Sequence, residues 1–328
     1  MQQLIINIET NGLFLKKHRG FLIAEKLGEE VSRVVIDDLA CVIVSAHGIT
    51  YTNNLMVSLA ENNVPVIFCD RSYSPVAVLQ PVVMHQRQGN YIRQQVGLSL
   101  PAQKRCWQNI VKSKIAWQAH ALRVAGQSGR ELLSLVDRVK SGDPTNVEAN
   151  AAQRYWKLLF GKDFRRDRQK TGANAQLNYG YAVLRGAATR AILATGLHPS
   201  ISLHHSAKIN PLALADDLME PFRPLVDLRV KDFFNDGNVE LDAYVKQELG
   251  NVMHSPIDNR SDVPMTNELV YLCHSLRKIL TGEQNNLEVP LPNLRLGPKN
   301  SGYANEQKYI ERISADVDVS HVRPARLD

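Results

Sequence analysis

Short apolar runs separated by turn residues fill the first eighty positions, and helical spacing takes over after them. Runs at 4–8, 14–15, 21–23, 31–36 and 41–44 recur at intervals of 7 to 12 residues, the pattern of short strands. Asn11-Gly12 is the strongest hairpin signal among them, because both residue types accept positive φ. The stretch 52–62 reads as one helix, capped by Thr52 or Asn53, with Leu55, Leu59 and Met56 on its buried face. Buried strands at 64–69 and 76–79 follow, and His47-Gly48 reads as a turn. A small β unit of this kind leaves edges that a second copy could cover.

Pro81 and the polar run 85–89 mark a link at 81–90. Beyond it the spacing predicts helices at 91–97 and 102–124, the second carrying Trp107, Ile110, Val111, Ile115, Trp117 and Leu122 at mostly three- and four-residue steps. Gly126 and Gly129 break the pattern before a helix at 131–140. Further helices are expected from Thr145 or Asn146, at 174–195 closed by Gly196, and at 211–234, 240–252 and 264–281. From 283 to 328 the chain turns Pro-rich and then polar, with one short helical candidate at 305–313. This segment is expected to be an extended or flexible tail that orders on a partner or stays mobile. The fold class is therefore α+β: a small N-terminal β-sandwich-like domain (1–80, for dimerisation), a linker (81–90), a larger all-α C-terminal catalytic domain (91–282) and the tail (283–328).

Composition narrows the classes. The 328 residues are 44% hydrophobic without an apolar run near 18 residues, so no membrane span is expected. The N-terminus lacks the basic, apolar and small-residue succession of a signal peptide. Four cysteines stand without a C-x-x-C pair, which favours reduced thiols in a cytoplasmic protein over a zinc site or a disulfide framework. A net charge of +6 from 39 basic and 33 acidic residues permits a polyanionic partner.

Candidate chemistry lies in three places of the helical half. In 214–227, Asp217, Glu220 and Arg223 stand three residues apart within one sector of a helix that contains Pro221 and Pro224. The plain reading is a first turn whose Asp216 and Asp217 suit the dipole, with Glu220 paired to Arg223. In 143–161 a helix begins near Thr145, and Thr145-x-x-Glu148 matches a capping box that would occupy the glutamate. In 202–206, His204 and His205 follow a loop signal, and adjacent histidines point different ways, so one at most serves a given site. A glutamate, a histidine and an acidic helix together suit a hard divalent ion, Mg²⁺ or Mn²⁺. Such an ion can activate a hydroxyl and neutralise charge on a phosphate. Between the first two segments runs 162–170, with five basic and two acidic residues. This basic loop is a solvated, flexible face or a contact for a phosphate backbone, with Arg165, Arg166, Arg168 and Lys170 as DNA-binding candidates beside Arg223.

Asp143-Pro-x-Asn-x-Glu148, Tyr155, Leu-Phe-Gly161-x-Asp-Phe164, Leu177-Asn-Tyr-Gly-Tyr181, Leu203-His-His205 and Asp217-Leu-Met-Glu-Pro-Phe-Arg-Pro224 closely resemble the integrase of the CRISPR adaptation module, in its type II wording. The stretch 62–70 shares the resemblance, which spans roughly 1–280. The resemblance implies metal ligands and catalytic residues at Glu148, His205 and Glu220, with Asp217 as an accessory acid. It implies a homodimer formed through the β domain, two of which clamp a dimer of a small ferredoxin-like partner protein as a heterohexamer. The RNA-guided effector nuclease is a further implied partner. The implied reaction is metal-dependent attack of a protospacer 3′-OH on the phosphodiester of a CRISPR repeat in double-stranded DNA. No Walker-type glycine loop is present, in keeping with a transesterification that consumes no nucleotide triphosphate. Alternative readings are a nuclease for branched DNA repair intermediates and a catalytically inactive DNA-binding scaffold.

Overall fold

Two tight turns shape the N-terminal part. Arg19-Gly20 joins β2 (Leu13–His18) to β3 (Phe21–Lys26), and Leu27-Gly28 joins β3 to β4 (Glu29–Val35). Both central residues of each turn have positive φ, +48° and +84° in the first and +55° and +87° in the second. This is the primed geometry whose twist matches paired strands. In the computed structural model, residues 4–70, 75–79, 81, 88–205, 210–257 and 263–292 are described. The hairpin expected at Asn11-Gly12 is not formed, since β1 (Leu4–Ile8) and β2 lie in different sheets. Gly12 still has positive φ, but Asn11 Oδ1 accepts the amides of His47 and Gly48, so the pair ties two loops together.

The first sheet runs β1-β5-β7-β8, with β5 (Leu39–Val44) and β7 (Val66–Cys69) central and β8 (Pro75–Leu79) antiparallel at its edge. The second runs β4-β3-β2-β6, where β6 is Thr50–Tyr51. Ile8, Val42, Val44 and Val66 meet Leu15, Leu22 and Ala24 between the sheets, with Leu55 and Leu59 of α1 (Asn53–Glu61) closing this core. Thr52 caps α1 as expected, its Oγ1 accepting from Leu55 N.

The opposite side of the first sheet belongs to the helices. Cys41, Ile43, Ile67 and Cys69 join the same core cluster as α3 (Leu100–Val124) and α6 (Ala173–Ala194). Gly186 of α6 permits the approach: a Cβ there would stand 3.1 Å from Ile67 Cδ1 and 3.5 Å from Cys41 Sγ. The strands and helices therefore share a continuous apolar core. Around α3 and α6 pack α4 (Arg130–Val136), α5 (Val147–Phe160), α9 (Ala243–Asn251) and α10 (Met265–Leu280), with α2 (Gln88–Val96) against α10. The four cysteines are free and buried, and burial pushes each thiol up to about 12.

Two expectations for the C-terminal half need correction. The helix expected over 211–234 is broken into α7 (Ala213–Leu218), a 3-10 turn (Glu220–Phe222) and α8 (Arg223–Asn235). Pro221 and Pro224 each open a new helical segment, where a missing N–H costs nothing. The tail expected from 283 is not free over 283–292. Leu287, Val289 and Leu291 are buried against α3, where Asn109 donates to Leu287 O and Trp117 Nε1 to Pro290 O. Alternating apolar residues in an extended strap bury one face without regular structure. Residues 293–328, including the helical candidate at 305–313, lie outside the described residues. No helix among the described residues is long and apolar enough to cross a membrane.

Candidate active site

Asp143, not Thr145, starts α5. Asn146 takes a left-handed conformation (φ +52°), and Asp143 Oδ1 and Oδ2 accept the amides of Val147 and Glu148, each at 2.9 Å. The capping box is thus absent, and the Glu148 side chain is released from the helix start. Its Oε1 lies 2.5 Å from Nζ of Lys114 on α3.

Glu220 reaches the same ammonium. Its Oε2 lies 2.6 Å from Lys114 Nζ, while Oε1 lies 3.0 Å from Arg223 Nε. The break after α7 makes this possible, because the 3-10 turn points Glu220 inward while Asp216 and Asp217 face other elements. Burial pushes the Glu220 carboxyl up, but Arg223 and Lys114 outweigh it and hold the group below its ordinary value. Burial likewise disfavours the Lys114 charge, and Glu220 and Glu148 outweigh it in the opposite sense.

Asp217 is fully buried and holds the histidine loop. Its Oδ2 accepts from Leu203 N and His204 N at 2.7 and 3.1 Å, and its Oδ1 from His205 N at 3.2 Å. His205 Nδ1 lies 2.6 Å from the same Oδ1. With Nδ1 donating there, Nε2 carries the lone pair, the arrangement that a carboxylate imposes on a ligating histidine. The hydrogen bond to Asp217 holds the His205 pKa above its ordinary value. Asp217 is therefore a brace for the loop rather than an accessory acid facing the cleft: four donors take up its oxygens. Trp107, buried on α3, stacks face to face with His204 at 4.2 Å and meets His205 edge-on at 5.5 Å. His204 covers the buried Trp107 ring while itself remaining exposed, and the His205 side chain is 42% exposed.

A second buried layer supports Arg223. Tyr155 of α5 donates to Asp227 Oδ2 at 3.0 Å, and Tyr181 of α6 donates to Oδ1. Burial pushes the Asp227 carboxyl up to about 7, against the pull of both hydroxyls and of Arg223 and Arg166. The guanidinium of Arg223 lies 4.6 Å over the Tyr181 ring and that of Arg166 at 5.5 Å. Asp216 pairs with Arg185 at 2.7 Å and takes no part in the cleft.

The basic segment 162–170 is clamped rather than loose. Asn174 Oδ1 accepts from Asp167 N and from Arg166 Nη1, and Asn174 Nδ2 and Asn178 Nδ2 donate to the carbonyls of Arg165 and Arg168. Phe164 stacks on Phe160 at 4.5 Å. Arg166 also donates to Asn178 Oδ1 at 2.6 Å. The guanidinium groups of Arg166 and Arg223 are thus committed inside the protein and are not free surface contacts for DNA. Arg165, Arg168 and Lys170 are exposed.

The residues present suit a divalent ion in type. Two carboxylates from distant elements meet one cation, His205 lies close enough to Glu220 for their charges to interact, and the buried Glu220 Oε2 has no correctly directed hydrogen bond. Among the described residues, no three histidines, cysteines or acids already stand at ligating distances. Sequence reasoning missed Lys114, Trp107 and Asp227. Lys114 had a legible signal, since it falls in the stripe of Trp107, Ile110, Val111 and Trp117, where an isolated lysine needs an anionic partner.

A family model described as "CRISPR associated protein Cas1" matches residues 6–260. The CRISPR-associated endonuclease Cas1 of Neisseria meningitidis is 36% identical over 251 residues, 75% of this chain and 82% of that protein. The CRISPR-associated endonuclease Cas1 1 of Pyrobaculum aerophilum is 31% identical over 242 residues, 67% of this chain and 78% of that one. A solved Cas1 protein from Thermotoga maritima shares the fold with a TM-score of 0.75 at 18% identity, over 87% of this chain and 99% of that one. A casposase bound to integration product gives 0.72 at 18% identity, over 96% and 100%. A Cas6-RT-Cas1–Cas2 complex gives 0.73 at 19% identity, over 88% of this chain and 36% of that one.

Proposed function

The chain belongs to the Cas1 family of CRISPR-associated proteins, and on that footing we propose that it is a metal-dependent DNA integrase and endonuclease of spacer acquisition. The observation that carries the metal reading is the meeting of Glu148 and Glu220 on one buried ammonium, beside a histidine whose Nδ1 is already held. Glu148, His205 and Glu220 are the proposed ligands of Mg²⁺ or Mn²⁺. The bound ion supplies Lewis acidity and charge neutralisation at a phosphate. Asp217 keeps His205 in the tautomer that offers Nε2, and Arg223 restrains Glu220. Arg165, Arg168 and Lys170 bind duplex phosphates outside the cleft.

In the proposed reaction a protospacer 3′-oxygen forms a bond to the repeat phosphorus while the bond to the repeat's own 3′-oxygen breaks. The proton lost by the first oxygen is matched by one gained by the second, so no triphosphate is consumed. The proposed setting is the cytoplasm, with a homodimer and a small ferredoxin-like partner in a heterohexamer and with the effector nuclease as a further partner. The solved complex of a relative with Cas2 supports the partner reading. The exposed edge strand β4, with Val31 more than half exposed, supports a dimer through the β part. Sedimentation of the full chain as a monomer at all concentrations would contradict that dimer.

The test is a gel assay with a labelled duplex bearing a free 3′-OH, a supercoiled target carrying a CRISPR repeat, the partner protein, and Mn²⁺ or EDTA. Joined product is expected in Mn²⁺ and none in EDTA. Product in EDTA would sink the metal reading, and cutting of branched DNA without joining would favour the repair-nuclease reading. Binding without either reaction would leave a DNA-binding scaffold.

A further inference from the structure

Lys114 stands where two carboxylates would share a metal ion. Its side chain is largely buried, and Nζ lies 2.5 Å from Glu148 Oε1 and 2.6 Å from Glu220 Oε2. The two oxygens therefore lie no further apart than the sum of those distances, a gap that one small cation fills. Only the approach to Glu148 has hydrogen-bond direction, and Glu220 Oε2 is held by charge alone.

The charges balance only while the ammonium is there. Lys114 and Arg223 offset Glu148 and Glu220, and without Lys114 two acids would share one guanidinium that touches Glu220 alone. Leaving a buried carboxylate unpaired is strongly destabilising. A divalent ion cannot enter the same gap beside an ammonium, because the space is filled and the charges repel. Lysine is suited to yield, since its point charge rides on a flexible four-carbon stem rather than a rigid fork.

We propose that Lys114 is a resident counter-cation of this site, holding Glu148 and Glu220 together in the metal-free protein and competing with a divalent ion for them. It is a positioning residue. The inference rests on the reading of Glu148 and Glu220 as metal ligands.

The experiment measures Mn²⁺ binding to the full chain by the electron paramagnetic resonance of free Mn²⁺, together with thermal midpoints in EDTA and in Mn²⁺. Lys114→Met is expected to bind Mn²⁺ about tenfold tighter or more, because the ion no longer displaces a buried partner. Its midpoint in EDTA should fall below the parent's, and its rise on adding Mn²⁺ should be the larger. Equal or weaker Mn²⁺ binding by Lys114→Met would overturn the inference. A variant that folds only with Mn²⁺ present would support it. Failure of both Lys114→Met and Lys114→Gln to fold in either condition would overturn it, making Lys114 a scaffold residue. Glu148→Gln and Glu220→Gln separate the two claims. If neither weakens the parent's Mn²⁺ binding, the ligand reading itself falls, and the inference with it. If both weaken it while Lys114→Met changes nothing, only the inference falls.

Discussion

Asp217 holds His205 twice through one oxygen, accepting its ring Nδ1 at 2.6 Å and its backbone amide at 3.2 Å. The other oxygen holds the two preceding residues of the same loop. One buried carboxylate thus fixes both the path of the loop and the direction of the imidazole.

Replacement of Asp217 by Asn should therefore harm a site that the residue does not itself enter. Mn²⁺ affinity should drop roughly 10- to 100-fold, the usual cost of losing a partner behind a ligand. Duplex binding should stay near the parent's in a gel-shift assay. Unchanged Mn²⁺ affinity would show that the brace is dispensable.

The two histidines should separate cleanly. His205→Ala should abolish strand transfer while retaining duplex binding. His204→Ala should lose a ring stack worth about 0.5–1.5 kcal/mol, lowering the thermal midpoint while leaving strand transfer measurable. The opposite pattern would move the ligand to His204.

Charge reversal of Arg165, Arg168 and Lys170 should weaken duplex binding, with the salt dependence falling by about 0.9 in log–log slope for each phosphate no longer neutralised. Arg166→Ala should act differently. It leaves Asn174 and Asn178 short of partners, which should cost stability by about 1–3 kcal/mol. Binding titrations at several salt concentrations, set beside urea unfolding, decide the matter; equal binding losses for Arg166 and Arg165 would refute the division.

The strap should matter to the fold. Leu287 is fully buried, and Leu287→Ala should cost about 2–5 kcal/mol in urea unfolding. A cost near zero would return the segment to a free tail.

Asp227 should set a pH dependence of stability. Its carboxyl is raised from the ordinary 3.8 to about 7, so folding takes up a proton between those values. The stability it contributes is fully present below 3.8 and is lost as pH rises through about 7, at about 1.4 kcal/mol per pH unit within the window. Asp227→Asn, which cannot titrate, should flatten that slope. An identical slope in parent and variant would place the proton uptake elsewhere.

Much of the fold was legible along the chain because periodicity reports local burial. Helices α3, α5, α6 and α10 follow their apolar spacing, Thr52 caps α1 as its residue type suggests, and Gly196 closes α6 with φ +80°. The hairpins were not legible. Arg19 and Leu27 are poor residues for positive φ, yet pairing of the flanking strands imposes it there, while the better-suited Asn11-Gly12 is used to bridge loops. The strap differs from expectation for a related reason: its three buried residues alternate, but they stand among prolines that signal a loop, and only packing on α3 makes them core.

The order of residues alone places Glu148, His205, Asp217 and Glu220 in family motifs, sets Pro221 and Pro224 within a helical pattern, and puts a lysine inside an apolar stripe. What each of these does was decided by the packing. Spacing puts Asp217, Glu220 and Arg223 in one sector of a helix, but the break at Pro221 sends Asp217 to the histidine loop and Glu220 to Lys114. The physical reason is that a buried charge takes its role from the partner that neutralises it, and those partners come from elements far away in the chain.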